Sequence, residues 1–124
     1  MRWSASVAGL VVVALGIVTG CSATGGPPPT APPGGAVLIA NGLAFDRHQV
    51  DVPAGKPFPL LFENREIAPH NVAIFAEGSD DALFVGEIFS GSASRMYEVP
   101  PLASGTYRFR CDVHPEMSGT LIST

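Results

Sequence analysis

The sequence has little charge, and that charge is unevenly placed. Of its 124 residues, 7 are Lys or Arg, 11 are Asp or Glu, and none of these lies between Trp3 and Phe45. So few basic side chains exclude a nucleic-acid-binding protein, because phosphates are bound by clustered Lys and Arg. A hydrophobic content of 46% excludes a disordered chain, and the length excludes two ordinary domains. The gap in charge separates an N-terminal third from a remainder of different composition.

The N-terminal third begins with the pattern of an export signal. Arg2 precedes an apolar run over residues 7–18, which has signal-peptide length and is short of the roughly 20 residues that span a membrane. The run ends in Val18-Thr19-Gly20-Cys21, which resembles a bacterial lipobox. We predict that residues 1–20 are a lipoprotein signal peptide and that Cys21 is lipidated; secretory cleavage nearby is the alternative. The resemblance implies a lipid anchor to the bacterial cell membrane, with the domain facing the periplasm or the cell exterior.

A spacer follows the predicted lipid site. Between Ser22 and Ala36 there are five prolines, four glycines and no large apolar side chain, so this segment cannot build a core. Pro-rich chains favour extended polyproline II at about 3.1 Å per residue. We therefore predict a tether over residues 21–36 that holds one folded domain, residues 37–124, away from the lipid.

Signals for helices are nearly absent from the domain, whereas signals for strands are frequent. Short segments rich in Val, Ile, Phe and Tyr alternate with turn residues, which predicts an all-β antiparallel sandwich or barrel. The predicted strands are residues 37–40, 49–52, 59–63, 71–75, 84–89, 92–99, 106–111 and 119–122.

Cys111 is the unusual residue of the domain. It ends the segment Tyr107-Arg108-Phe109-Arg110-Cys111, in which alternation places Tyr107, Phe109 and Cys111 on one face and the arginines on the other. Cys111 is therefore predicted to be buried. If Cys21 is lipidated, Cys111 is an unpaired thiol in an oxidising compartment and requires a role. A disulfide between Cys21 and Cys111 is the alternative.

The residues that follow Cys111 suggest a metal site. In Cys111-Asp112-Val113-His114-Pro115-Glu116-Met117, a thiolate, an imidazole and a thioether are spaced three residues apart. This mixture of soft and borderline donors selects copper over calcium, magnesium or manganese. A trigonal copper plane needs a second imidazole, for which we choose His70, in Pro69-His70-Asn71, and we predict that His48 is an ordinary surface histidine.

Residues 37–124 resemble the small blue copper proteins, the cupredoxins. The resemblance rests on Pro69-His70-Asn71 and on the Cys111-x-x-His114-x-x-Met117 spacing, which is the short ligand loop of amicyanins. It implies a Greek-key β-sandwich of seven to eight strands with one mononuclear type 1 copper ion. His70, Cys111 and His114 would be the in-plane ligands, Met117 the long axial ligand, and Asn71 the residue that ties the two ligand loops together.

The function that the resemblance implies is electron transfer rather than catalysis. Copper would cycle between Cu(II) and Cu(I) in a monomer that serves redox protein partners in a membrane or periplasmic chain. Four alternatives remain open at this point. A copper carrier or scavenger would use the same ligands, an enzyme would use Cys111 as nucleophile and His114 as base, a structural zinc site would need further Cys or His ligands, and an adhesion sandwich would bind no metal.

Overall fold

A computed structural model describes residues 26–124. The predicted signal peptide and the predicted lipidation of Cys21 lie outside the described residues. Residues 26–35 contain no strand and no helix, and the carbonyl groups of Gly26 and Pro27 each accept a 3.4 Å hydrogen bond from the Arg65 guanidinium. Among the described residues, no helix is long and apolar enough to cross a membrane.

Eight strands and no helix make up the described chain, which confirms the predicted all-β class. The strands are β1 Ala36–Ala40, β2 Gln49–Val52, β3 Phe58–Asn64, β4 Ala73–Ala76, β5 Ala82–Val85, β6 Ala93–Val99, β7 Gly105–Arg110 and β8 Ser118–Ser123. Their boundaries follow the predicted segments within two residues except at β5, which ends at Val85. Gly86 donates its N–H to the carbonyl of Val72, the residue before β4, and no strand follows until β6.

The strands form two sheets that pack as a sandwich. One sheet has the order β1-β3-β6 and the other β2-β8-β7-β4-β5. The expectation of antiparallel pairing was wrong for two pairs of strands, because β1 pairs with β3 and β2 pairs with β8 in parallel. In each parallel pair the two strands are separated along the chain by at least one strand of the other sheet, so they can enter the same sheet in the same direction.

Apolar side chains from both sheets fill the space between them. β3 alternates buried and half-buried residues along its length, as expected for a strand with one face on a core. Four rings make edge-to-face contacts: Phe45 lies 6.3 Å from Phe62 and 5.4 Å from Phe109, and Phe62 lies 5.6 Å from Phe89. Aromatic pairs in this geometry stabilise a core beyond their area burial. This cluster confirms that Phe109 lies on the buried face with Cys111, and it is close to the end of the sandwich that carries His70 and Cys111.

The outward face of β7 is also covered. Arg108 and Arg110 point away from the core, as predicted, and both guanidinium groups lie over the ring of Phe75 on β4, at 5.3 Å and 4.3 Å from its centre. Phe75 is consequently only 2% exposed although it lies on the outer face. Cation–π contacts of this kind shield a large apolar ring from water and stabilise the β4–β7 pair.

Candidate metal centre

Three side chains that the sequence singled out come together at one end of the sandwich. Nδ1 of His70 lies 3.7 Å from Sγ of Cys111 and 3.2 Å from Nδ1 of His114, and Cys111 Sγ lies 3.9 Å from His114 Nδ1. One nitrogen or sulfur donor atom from each residue lies within 4.8 Å of the others. His70 and Cys111 are buried and His114 is half-buried. Two imidazole nitrogens and a cysteine sulfur therefore face a common point.

His70 is positioned by the connection between β3 and β4. Its backbone N–H and C=O exchange two hydrogen bonds of 3.1 Å with Phe89, in the connection between β5 and β6. Asn64, the last residue of β3, is fully buried, and its Nδ2 donates to Ala68 O at 2.9 Å and to Phe89 O at 3.0 Å. These bonds satisfy polar groups that a buried loop would otherwise leave unpaired. These hydrogen bonds hold the loop that carries His70 to β3 and to the connection between β5 and β6.

Cys111 and His114 lie in the hairpin loop between β7 and β8. The last pair of that hairpin is Arg110 with Ser118, so residues 111–117 form the loop. Cys111 donates its N–H to Met117 O and Met117 donates its N–H to His114 O, both at 2.9 Å. Cys111 is 0% exposed, which confirms the burial that alternation predicted. The loop is thus closed at its base and turns His114 back toward Cys111.

Asn71 joins the two ligand-bearing segments. Ala73 pairs with Arg110, so continuing the antiparallel register by two residues places Asn71 opposite Asp112. Asn71 Nδ2 donates to Asp112 Oδ2 and the Asp112 N–H donates to Asn71 Oδ1, each at 2.8 Å. The Asn71 side chain therefore extends the β4–β7 ladder beyond its last backbone pair. This is the place where the family resemblance implied a residue that ties the loops together.

Glu66 contacts the outer nitrogen of His70. Glu66 Oε1 lies 2.7 Å from His70 Nε2, and the same oxygen accepts a 2.9 Å hydrogen bond from the backbone N–H of Leu43. The Leu43 hydrogen bond is the main cause that lowers the pKa of Glu66 below its ordinary value, and the contact with His70 adds to it. His70 thus has one ring nitrogen facing Cys111 and His114 and the other facing a carboxylate.

The remaining predicted site residues lie in different places. Met117 is 3% exposed, at the base of the ligand loop and within the core cluster, so its role as axial ligand stays a prediction. His48 is exposed on the approach to β2, as expected of a surface histidine.

No pattern in the sequence indicates a role for Glu66 or Asp112. The only signal for either was proximity along the chain, since Glu66 precedes His70 by four residues in a loop and Asp112 follows Cys111 directly. Neither position shows a periodic pattern, so their contacts depended on the tertiary fold.

The chain belongs to the family of cupredoxin-like domains, which matches residues 11–123. Among solved structures, it is similar to amicyanin from Paracoccus versutus (Thiobacillus versutus), at 29% identity and a TM-score of 0.57, over 76% of this chain and 85% of that one. It is also similar to auracyanin from Roseiflexus castenholzii, at 19% identity and a TM-score of 0.66, over 77% of this chain and 99% of that one. Auracyanin A of Chloroflexus aurantiacus matches at 20% identity and a TM-score of 0.63, over 73% of this chain and 100% of that one. No curated protein sequence matches.

The donor atoms fit one copper ion. A thiolate with two imidazoles is the in-plane set of blue copper sites, and a weak thioether is the usual axial donor. The sulfur of Cys111 and the imidazoles of His70 and His114 have donor atoms within 4.8 Å of one another. Met117 carries a thioether and is hydrogen-bonded to Cys111 at the base of the loop that holds Cys111 and His114. Hard cations such as calcium or magnesium prefer oxygen ligands, so this set favours copper over them.

Proposed function

We propose that this chain is a type 1 copper protein that carries single electrons between redox proteins at the outer face of a bacterial membrane. The observation that carries the proposal is the convergence of His70 Nδ1, Cys111 Sγ and His114 Nδ1 within 4.8 Å. Copper bound there supplies a one-electron couple between Cu(II) and Cu(I). Met117 is the axial donor in this proposal.

The route for the electron follows from the different exposure of the ligands. Cys111 and His70 are each 0% exposed, whereas His114 is half-buried on the end loop. His114 is therefore the ligand through which an electron reaches or leaves a docked partner. Outer-sphere transfer through a ring edge requires no open coordination position for a substrate.

An apolar rim around His114 suits brief contact with a partner. Three exposed side chains lie in the loops that form this end of the sandwich: Ile67 is 89% exposed, Ile88 52% and Val113 39%. The exposed Pro69 and Pro115 flank the histidines in the chain. Redox encounters commonly bury less than about 1,200 Å² and dissociate quickly, which a small apolar rim allows.

Burial of the donors also weighs against the other roles. A copper carrier or scavenger must exchange its ion, and two of the three clustered donors are fully buried. An enzyme that used Cys111 as nucleophile would need substrate to reach a thiol that is 0% exposed. Electron transfer requires neither exchange of the ion nor access to the sulfur.

The membrane location rests on the N-terminal sequence alone. The apolar run of residues 7–18 and Val18-Thr19-Gly20-Cys21 support a lipid anchor, and the Pro- and Gly-rich residues 21–36 support a tether. Incorporation of labelled palmitate by the wild-type chain in a bacterial host, and its loss in Cys21→Ala, is the expected result. Equal labelling of both chains contradicts the anchor and leaves the copper proposal unaffected.

Copper titration of residues 22–124 tests the copper role. One equivalent of Cu(II) is expected to produce an intense visible thiolate-to-copper band that disappears in Cys111→Ser. Cyclic voltammetry is expected to show a reversible one-electron couple with fast self-exchange. The absence of a band, or a band that Cys111→Ser leaves intact, refutes the site. A band without a reversible couple favours the copper carrier.

A further inference from the structure

His70 is engaged through both of its ring nitrogens. Nδ1 faces Cys111 Sγ and His114 Nδ1, at 3.7 Å and 3.2 Å, while Nε2 lies 2.7 Å from Glu66 Oε1. The His70 side chain is 0% exposed, and the Glu66 side chain is 21% exposed. Glu66 therefore reaches from the protein surface to the far side of a buried metal ligand.

The contact with Glu66 determines the tautomer of His70. A carboxylate accepts hydrogen bonds and has no proton to donate, so a neutral imidazole beside it carries its proton on Nε2. Nδ1 then keeps its lone pair, and it is Nδ1 that faces Cys111 and His114. When a metal-bound histidine donates its second ring N–H to a carboxylate, the ring is oriented and the ligating nitrogen becomes a stronger donor.

Glu66 is itself positioned by a turn from another part of the chain. Gly42 and Leu43 have φ angles of 64° and 56°, and within residues 26–124 Leu43 is the only non-glycine residue with a positive φ. Such a conformation is uncommon for leucine. It directs the Leu43 N–H to Glu66 Oε1 at 2.9 Å, the same oxygen that lies beside His70. A turn in an unfavourable conformation thus fixes the carboxylate oxygen that meets the ligand.

We propose that Glu66 is a positioning residue of the copper site, whose carboxylate accepts the Nε2–H of His70, presents Nδ1 to the metal and favours the Cu(II) state. This inference rests on the proposed function. Cu(II) carries one more positive charge than Cu(I), so an anion behind a ligand stabilises Cu(II) more strongly. Glu66 therefore lowers the reduction potential of the site.

Three variants of the full chain separate the charge of Glu66 from its hydrogen bonds. Glu66→Gln keeps an oxygen that can accept from both Leu43 and His70 and removes the charge. Glu66→Ala removes the charge and the acceptor. Glu98→Gln is the matched control. Ala93, at one end of β6, pairs with Asn64 near the site, whereas Glu98 is exposed near the other end of the same strand.

The copper-loaded variants are expected to differ in affinity and potential. Glu66→Ala is expected to bind Cu(II) 10–100-fold more weakly, a range of about the size found when such partners of metal ligands are removed. Glu66→Gln is expected to lose less Cu(II) affinity than Glu66→Ala, and Glu98→Gln is expected to bind Cu(II) as tightly as the wild type. The reduction potential rises by about 59 mV for each tenfold by which a variant's loss of Cu(II) affinity exceeds its loss of Cu(I) affinity.

Nitrogen NMR of the histidines in the copper-free full chain gives a measurement that needs no metal. The wild type and Glu66→Gln are expected to show His70 protonated at Nε2, and Glu66→Ala is expected to lose that preference. A wild-type His70 protonated at Nδ1, or Glu66 variants whose affinities and potentials equal those of Glu98→Gln, overturns the proposal. If the wild type shows no copper band, the proposed function fails and this proposal falls with it, whereas a copper band with His70 protonated at Nδ1 overturns this proposal alone.

Discussion

Replacing Asn71 with alanine removes the link between the two segments that carry the candidate ligands. The side chain is 0% exposed and makes three hydrogen bonds. Its Nδ2 donates to Gly86 O at 3.1 Å and to Asp112 Oδ2 at 2.8 Å, and its Oδ1 accepts from the Asp112 N–H at 2.8 Å. In the variant, the Gly86 carbonyl and the Asp112 N–H and carboxylate lose these hydrogen bonds in or near the protein interior.

The expected loss of stability follows from these bonds. The two bonds with backbone partners contribute about 1 kcal/mol each, and the bond to the Asp112 carboxylate about 1.5–3 kcal/mol. For the carboxylate we take about 1 kcal/mol, below this range, because the Asp112 side chain is 32% exposed and can turn toward water. We therefore expect Asn71→Ala to lower the free energy of unfolding by about 3 kcal/mol. Since small domains have about 5–15 kcal/mol of stability, the variant should still fold.

Urea unfolding of the copper-free chain measures this loss without a contribution from metal binding. With an m-value of about 1–1.5 kcal/mol/M, the midpoint is expected to fall by about 2–3 M. Asn41→Ala is the control, because Asn41 is exposed. A loss below about 1 kcal/mol, or one equal to that of Asn41→Ala, would refute the reasoning that these bonds hold the ligand segments together.

A double-mutant cycle isolates the bond between Asn71 and the Asp112 carboxylate. Asp112→Ala removes that carboxylate and leaves its backbone N–H free to donate to Asn71 Oδ1. The coupling energy between Asn71→Ala and Asp112→Ala is expected to be about 1–2 kcal/mol, since the bond is charge-assisted and partly exposed. Additive losses would mean that the carboxylate contributes nothing to the link.

Met117→Leu is expected to keep the visible band and to raise the reduction potential measured by voltammetry, because a donor to Cu(II) is lost; an unchanged potential contradicts the axial role. Gly119→Ala is expected to lower stability in urea by about 1–3 kcal/mol, since the added Cβ would overlap the ring of Phe109, while Gly26→Ala, with nothing within 4 Å of its Cβ, serves as control. Burial raises the pKa of Tyr97, so the folded state holds the phenol proton more tightly than the unfolded state, and stability falls as pH rises above about 10. Tyr97→Phe is expected to show a smaller alkaline loss in urea titrations, and equal losses would count against this assignment.

The features that could be predicted from the sequence depend on neighbours along the chain. Alternation in residues 107–111 predicted the burial of Cys111 because a strand has a side-chain period of two. The spacing of Cys111 and His114 within one short loop also predicted that they lie together, because they are only three positions apart along the chain. His70 was chosen from its surroundings of proline and asparagine, and the structure brings it to within 3.7 Å of Cys111.

The features that were missed depend on pairings between distant segments. The parallel pairing of β1 with β3 leaves no local signal, since it is decided by how the two sheets close around the core. Glu66 meets His70 in a loop where Asn64 accepts the Glu66 N–H and donates to Ala68 O, and Leu43 approaches Glu66 from 23 positions away. The role of Asp112 required the register of β4 against β7.

The fold holds the two histidines with different firmness, and this difference bears on the reaction. His70 is fully buried, exchanges two backbone hydrogen bonds with Phe89 and contacts Glu66 through its ring. His114 is half-buried, and its backbone in the described chain is held by the one bond that Met117 N–H donates to its carbonyl. Cu(II) and Cu(I) prefer different ligand geometries, so any adjustment between the two states falls on the less constrained ligand. Substitutions in residues 113–116 should therefore alter the potential with little effect on unfolding, whereas substitutions in residues 64–70 should alter both.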